Sequence, residues 1–276
     1  MTTPEPKIVT ASIAPITLES LERGADDVTY HARLFRDMME QQKRVNETVA
    51  AKQGLNWIAE AYSYRWDFLF AGVVELVELA KSREDWWKWW THGPADHMNV
   101  KIELVDAFHF FLSYDIANEI PINPVSENVV DRCLNDLASD YARMVQGVKD
   151  LGTSEPENKL GVRLLKEVVC RATNIDPYFN ASAFFYLCKV CNLDIPTFYK
   201  IYIGKACLNR FRQKHGYKEG TYHKMWWFQK EDNHYLMEWL NEYKEDVIGE
   251  DLEREVMQWL ETSYQSFLGT LETGVT

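Results

Sequence analysis

The chain lacks several features that would assign it to common protein classes. Its five cysteines are an odd number without the spacing of a disulfide framework, so we expect reduced thiols in an intracellular, cytoplasmic protein. We recognise no secretory signal and no apolar run of membrane-spanning length. Basic residues are scarce, with 30 Lys and Arg against 42 Asp and Glu. We therefore expect neither nucleic acid nor a membrane as a partner.

Alternating strand patterns are scarce too, whereas apolar residues recur at helical spacing from about residue 26. The sequence therefore predicts an all-α fold: a helical-bundle core at about 26–150 and a smaller helical lobe at about 158–245, both within one domain of residues 26–276. Residues 1–25, with three prolines, are predicted to form a surface arm. Beyond residue 120, helices are predicted at about 126–149, 159–173, 179–191, 195–214, 234–247 and 250–269.

Two pairs of carboxylates stand out in apolar surroundings. Glu75 and Glu78 lie in a predicted helix at about 58–82, and Glu103 and Asp106 lie in another at about 97–118. Positions three apart share one face of a helix. If the two helices pack face to face, the four carboxylates converge.

Such a cluster would repel itself unless a cation were bound, because buried carboxylates are costly without a partner. Oxygen ligands favour a hard cation such as Mg²⁺, which commonly serves phosphate chemistry. The alternative is two ordinary amphipathic helices whose acidic residues face solvent.

A basic stretch between residues 200 and 224 reverses the sign of the chain's charge. It holds seven basic residues and one acid, Glu219. Gly216 and Gly220 flank a predicted turn and allow positive φ. Next to a metal–carboxylate cluster, these cations indicate a substrate that carries several phosphates. The seven residues are Lys200, Lys205, Arg210, Arg212, Lys214, Lys218 and Lys224.

Together these motifs resemble the dimeric all-α dUTPases, within the wider all-α NTP pyrophosphatases. Five short blocks carry the resemblance, over roughly residues 30–240. The blocks are Gln42-Lys-Arg-Val-Asn46, Glu75-Leu-Val-Glu78, Trp87-Lys-Trp-Trp90, Glu103-Leu-Val-Asp106, and the segment from Leu208 to Lys224 followed by Glu231-Asp-Asn233.

The resemblance implies a homodimeric enzyme that hydrolyses dUTP, and dUDP as a further candidate, to dUMP, with pyrophosphate released from dUTP. It implies that Glu75, Glu78, Glu103 and Asp106 bind two or more Mg²⁺ ions, with Mn²⁺ able to substitute. Glu75 or Glu78 would also position or deprotonate the attacking water.

The resemblance also implies the residues that contact the substrate. Gln42, Asn46 and His109 would address the uracil base. The remaining candidates would contact phosphates, sugar or base: Trp87, Lys88, Trp90, Lys205, Asn209, Arg212, Tyr217, Lys218, Tyr222, Lys224, Asp232 and Asn233.

Three alternatives stay open at this point. The segment Met225–Lys230 departs from the family pattern, so dCTP or another dNTP is an alternative substrate. Asp106-Ala-Phe-His109 loosely resembles the Glu-x-x-His motif of di-iron oxidoreductases, but the first carboxylate helix has no matching histidine. A non-catalytic helical module is the third, with the tryptophans of Trp86–Trp90 as a partner-binding patch.

Overall fold

The structure, a computed structural model, describes residues 27–90, 93–121, 126–243, 245 and 247–273. The predicted arm at residues 1–25 lies outside the described residues. Within the described part, Met225 and Glu231 form an isolated bridge, and there is no strand. The predicted all-α fold is confirmed. Its helices are α1 Asp27–Lys52, α2 Trp57–Ser82, α3 Glu84–Trp87, α4 His97–Glu119, α5 Glu127–Lys149, α6 Glu157–Ala172, α7 Ala181–Val190, α8 Ile195–Lys214, α9 Asp232–Glu242 and α10 Glu250–Thr273.

The two carboxylate helices, α2 and α4, pack side by side along their lengths. Each begins at a capped residue: the side chain of Asn56 accepts from the Ala59 amide, and that of Asp96 from the Asn99 amide. Gly72 permits the close approach, because a Cβ there would overlap the ring of Phe111. The face-to-face packing expected of the two helices is therefore present.

Helix α8 faces this pair and brings the basic stretch to it. It begins at Asp194, which caps the Thr197 amide, with a proline in the first turn. It packs against α1, α4, α9 and α10. Its apolar residues, such as Phe198 and Leu208, are fully buried. Lys205 of α8 thereby comes to lie 3.0 Å from Asp106 of α4.

The C-terminal lobe is held by aromatic side chains. The ring of Trp226 packs against Trp259 and Phe267 of α10, while Trp239 of α9 stacks on Trp259. A 3₁₀ turn, Trp227–Gln229, was not predicted, and α9 begins two residues earlier and ends five residues earlier than expected. Within the described helices, none combines the length and apolar character needed to cross a membrane.

The basic turn after α8 has the predicted backbone. Gly216 has φ +85° and Gly220 has φ +73°, a region that side chains with a Cβ rarely adopt. The short helix α3 was missed because its tryptophans show no helical period over four residues. Trp86 of α3 is buried, and a Cβ on Gly161 of α6 would overlap its ring.

Candidate metal and nucleotide site

A cavity of about 550 Å³ lies between α1, α2, α4 and α8. One end is acidic, the other end carries neutral amides, an imidazole and aromatic rings, and Lys205 and Arg212 form a basic wall of the same cavity. The predicted residues that line it are Gln42, Asn46, Glu75, Asp106, His109, Lys205, Asn209 and Arg212. The structure therefore brings together the first carboxylate helix, the second one and the basic helix.

The acidic end is built by three carboxylates. Oxygens of Glu75, Glu103 and Asp106 all lie within 4.8 Å of one another. Burial, together with the charges of Asp106 and Glu75, raises the pKa of Glu103 to about 8. Burial and the charge of Asp106 also raise the pKa of Glu75. Negative charge is thus in excess here, and the oxygen-only donor set fits a hard divalent cation.

Glu78, the fourth predicted carboxylate, lies one turn beyond the cluster. Its side chain is 44% exposed and pairs with Lys81 at 2.7 Å. Lys205 of α8 lies beside the cluster of three carboxylates and is only 2% exposed. Its ammonium lies 3.0 Å from Asp106 and donates to Asn233 Oδ1 at 2.8 Å. Lys81 of α2 thus pairs with Glu78, and Lys205 of α8 supplies the counter-charge at Asp106.

A buried ion pair holds Arg212, one of the two cations of the basic wall, in place. The guanidinium of Arg212 donates to both carboxylate oxygens of Asp232, at 2.9 and 2.6 Å. The hydroxyl of Tyr222 donates to the same carboxylate at 2.8 Å. Asp232 is fully buried, and both it and Tyr222 are absent from the described cavity lining. They orient Arg212, which does line the cavity.

The neutral end is built by Gln42, Asn46 and His109. The amide nitrogen of Gln42 donates to Asn46 Oδ1 at 3.0 Å, and that of Asn46 donates to Ser113 Oγ at 3.0 Å. His109 Nδ1 lies 2.8 Å from Gln42 Oε1. The rings of Trp57 and Phe68 line the same end. This combination of apolar faces and fixed hydrogen-bonding groups suits a planar heterocycle.

Several predicted contacts lie elsewhere in the structure. Lys88 pairs with Glu84, and Lys224 pairs with Glu231 at 3.0 Å. A second cavity, of about 730 Å³, shares Asn209 and Arg212 with the first. Tyr217 and Lys218 line this second cavity. Trp87, Lys88, Trp90, Tyr222, Lys224, Asp232 and Asn233 are not part of the described lining of either cavity.

The sequence did not indicate four residues that complete the site. Ser113 lies four residues after His109, so helical spacing could have placed it on the same face. Trp57 and Phe68 could have been noticed as aromatics upstream of Glu75. Tyr202 contacts Gln42 from a helix 160 residues away, and no local pattern reports such a contact.

A family model for dUTPases matches residues 34–217, well over half of the chain. The chain belongs to the dUTPase family. Its membership was predicted from the sequence and is confirmed, and hydrolysis of dUTP follows as the family's general activity. The match covers both carboxylate pairs, Gln42, Asn46 and Arg212, and it ends at Tyr217. No match was found among curated protein sequences.

The family match leaves the two non-hydrolytic alternatives without support. The described carboxylate cluster contains no histidine, and Nδ1 of His109 is engaged by Gln42. A di-iron site in a helical bundle would need histidine ligands from two helices. A non-catalytic module would give no role to a cavity that is lined by two carboxylates of the cluster.

Proposed function

We propose that this chain catalyses the Mg²⁺-dependent hydrolysis of dUTP to dUMP and pyrophosphate, by attack of water on a phosphate. The observation that carries the proposal is one cavity with the carboxylate cluster at one end and the neutral amide–imidazole group at the other. Lys205 and Arg212 line the wall between them. These three regions match the metal, the base and the phosphates of a nucleotide.

Glu75, Glu103 and Asp106 would hold the cation, because one oxygen of each lies within 4.8 Å of the others and Lys205 is the cation that pairs with this group of three carboxylates. When bound, the cation supplies charge neutralisation for the phosphates and a lower pKa for a coordinated water. Glu78 is one helical turn from Glu75 and would complete the set for a second ion. We propose two or more Mg²⁺ ions per site, with Mn²⁺ as a substitute.

The chain's own side chains would divide the remaining work. Lys205, Asn209 and Arg212 would bind phosphate oxygens, and Arg212 is held for this by Asp232. Glu75 or Glu78 would orient the attacking water or accept its proton. Gln42, Asn46 and His109 would bind the uracil edge. Tyr217 and Lys218 would contact phosphates or sugar from the adjoining cavity; Trp87, Lys88, Trp90, Tyr222, Lys224 and Asn233 remain candidates for such contacts.

A substrate panel tests the proposal. dUTP, dUDP, dCTP, dTTP, dATP, dGTP and UTP would each be incubated with Mg²⁺ or with a chelator, and the products separated by chromatography. We expect dUMP and pyrophosphate from dUTP with Mg²⁺ only. Equal turnover in the chelator would contradict the metal dependence, and failure to hydrolyse dUTP would contradict the activity.

We also propose that the active protein is a homodimer that buries an apolar face of α2. Side chains spaced by about one helical turn on this face, here called the α2 stripe, are all exposed. Soluble monomers rarely expose a continuous apolar stripe. Its ends lie about 22 Å apart along the helix. The α2 stripe consists of Tyr62, Trp66, Phe70, Val74 and Val77.

Sedimentation of charge variants tests the dimer. Phe70→Glu would place a charge in the middle of the α2 stripe, and we expect the mass to fall from twice 32.3 kDa to a single chain of that mass. Phe228→Glu is the matched control, because Phe228 is 93% exposed and lies in the C-terminal lobe. A wild-type protein that sediments as a monomer would contradict the proposal.

A further inference from the structure

One buried hydrogen-bond network determines the chemistry of the cavity's neutral end. Oε1 of Gln42 lies 2.7 Å from the hydroxyl of Tyr202 and 2.8 Å from Nδ1 of His109. Tyr202 is fully buried and is not part of the cavity lining. Its ring stacks on that of His109 with the centroids 3.9 Å apart. Tyr202 therefore contacts both Gln42 and His109 without itself lining the cavity.

This arrangement fixes the tautomer of His109. A carbonyl oxygen only accepts hydrogen bonds, so Nδ1 must carry the proton that Gln42 Oε1 accepts. Burial lowers the pKa of His109 to about 4, assisted by the charge of Lys205 and opposed by that of Asp106. The ring is therefore neutral at neutral pH, and Nε2 carries a lone pair. Nε2 is buried, has no described hydrogen-bond partner, and belongs to a residue that lines the cavity.

The amides are oriented by the same network. Gln42 uses one N–H to reach Asn46, and Asn46 uses one N–H to reach Ser113. The hydroxyl of Ser113 donates to the His109 carbonyl at 2.8 Å, so its oxygen is free to accept. Each amide has a second N–H. The neutral end thus offers amide donors together with one imidazole acceptor.

Uracil can pair with these amide donors and the Nε2 acceptor, whereas cytosine cannot. Uracil presents two carbonyl acceptors on either side of an N3–H donor, which complements amide donors and an Nε2 lone pair. Cytosine has a lone pair at N3 and an amino group in place of one carbonyl. Its N3 would face the Nε2 lone pair, and its amino group would face an amide donor, so binding would leave buried groups unpaired.

We propose that Tyr202 is a positioning residue that sets the preference for uracil over cytosine by holding Gln42 in one orientation and His109 in one tautomer. This inference rests on the proposed function. Tyr202 acts through Gln42 and His109 and does not contact the base itself.

The Tyr202 hydroxyl has a second possible acceptor, and donation to it would give the opposite base preference. The Tyr202 hydroxyl also lies 3.3 Å from the Met38 carbonyl. If it donated there, Gln42 could turn over, direct an N–H at His109 Nδ1 and move the imidazole proton to Nε2. The site would then donate where uracil donates and would suit cytosine. The shorter contact, 2.7 Å to Gln42 Oε1, favours the uracil arrangement.

The tautomer is measured directly on the wild-type protein. ¹⁵N-labelled full chain at pH 7.5, without nucleotide or metal, would be examined by long-range ¹H–¹⁵N NMR of the histidine rings. His109→Gln assigns the signal. We expect protonated Nδ1 and unprotonated Nε2. Protonation of Nε2 instead would overturn the proposal, and this result does not depend on activity.

Specificity is measured with Tyr202→Phe, which removes the hydroxyl and keeps the ring stack. We expect the ratio of kcat/KM for dUTP to that for dCTP, with Mg²⁺, to fall about tenfold, as for loss of one orienting hydrogen bond. Tyr199→Phe is the matched control. It removes another buried hydroxyl of α8, which bonds Asp37 and the Gly249 amide, and it should leave the ratio unchanged.

The outcomes separate this inference from the proposed function. An unchanged ratio in folded Tyr202→Phe, with active wild type, would overturn the role of Tyr202 alone. A wild type that hydrolyses neither nucleotide would contradict the proposed function, whatever the tautomer. If Tyr202→Phe did not fold, the wild-type tautomer would decide.

Discussion

The two ends of the cavity are built on opposite principles. At the neutral end, Gln42, Asn46 and Ser113 satisfy one another with hydrogen bonds of 3.0 Å. At the acidic end, Glu103 and Asp106 lie close enough to repel, with Lys205 as the adjacent cation. At the neutral end the amides and the serine hydroxyl are held by one another and His109 Nε2 is left without a partner, whereas at the acidic end the carboxylates repel one another.

This difference indicates which parts of the site are organised in advance. A satisfied buried network holds its side chains in one arrangement, so it can discriminate between ligands at little cost in ordering. Carboxylates that repel one another favour the binding of a cation, because the cation relieves their repulsion. We therefore expect changes at the neutral end to reduce stability and changes at the acidic end to reduce activity.

The largest expected effect is at the acidic end. Glu103→Gln should lower dUTP turnover with Mg²⁺ by about 10³-fold, because a metal ligand is lost together with several kcal/mol of charge stabilisation. Without metal its melting temperature should not fall near neutral pH, since burial and the charges of Asp106 and Glu75 raise the pKa of Glu103 to about 8 and glutamine then replaces a neutral carboxyl. Activity assays and thermal unfolding in chelator measure the two quantities.

Glu119→Gln is the matched control, because Glu119 is an exposed glutamate at the end of the same helix. It should change neither quantity appreciably. A marked loss of stability in Glu103→Gln, with turnover retained, would mean that the acidic end is a structural feature rather than a metal site.

The next effect concerns stability and is expected at the neutral end. Asn46→Ala would leave the Gln42 amide and the Ser113 hydroxyl without their partner in a buried network. We expect the free energy of unfolding to fall by about 1–3 kcal/mol. Asn118→Ala, which removes a bond from an exposed amide to the Tyr114 carbonyl, should cost less. Denaturant titration measures the free energy of unfolding of both variants. Equal decreases would mean that the buried network stabilises the fold no more than one exposed hydrogen bond does.

The sequence predicted the acidic end better than the neutral end. Glu75, Glu103 and Asp106 were predicted as a cluster because positions three apart share a helix face and both helices are otherwise apolar. Helix periodicity also predicted α2 and α4 to within one residue at each end. Local patterns carry this information, since they require only that two helices pack face to face.

The neutral end depends on contacts between distant parts of the chain. Tyr202 meets Gln42 across 160 residues, and Asp232 reaches back 20 residues to hold Arg212. Asp232 resembled a substrate contact in the sequence, but its burial against Arg212 gives it a supporting position. Lys205 appeared as one of seven cations, and only the packing of α8 reveals that it contacts Asp106.

The smallest expected effect is a pH dependence of stability that belongs to the acidic end alone. Glu103 has a pKa of about 8 in the folded chain without metal, against 4.5 for the reference carboxyl. The folded state therefore holds a proton that the unfolded state releases. This contribution to stability is complete below about pH 4.5 and is lost as the pH rises through 8.

Thermal unfolding in chelator between pH 6 and pH 9 measures this loss. Burial also raises the pKa of Asp115 to about 7, so wild type and Glu103→Gln both lose stability from that group. Wild type should lose more, by an extra fall of a few °C in melting temperature. Saturating Mg²⁺ should remove the extra fall, because a bound cation keeps Glu103 ionised at every pH in this range. Parallel curves for the two proteins would instead mean that the acidic end tolerates its charge without a cation, and the contrast between the two ends of the cavity would be lost.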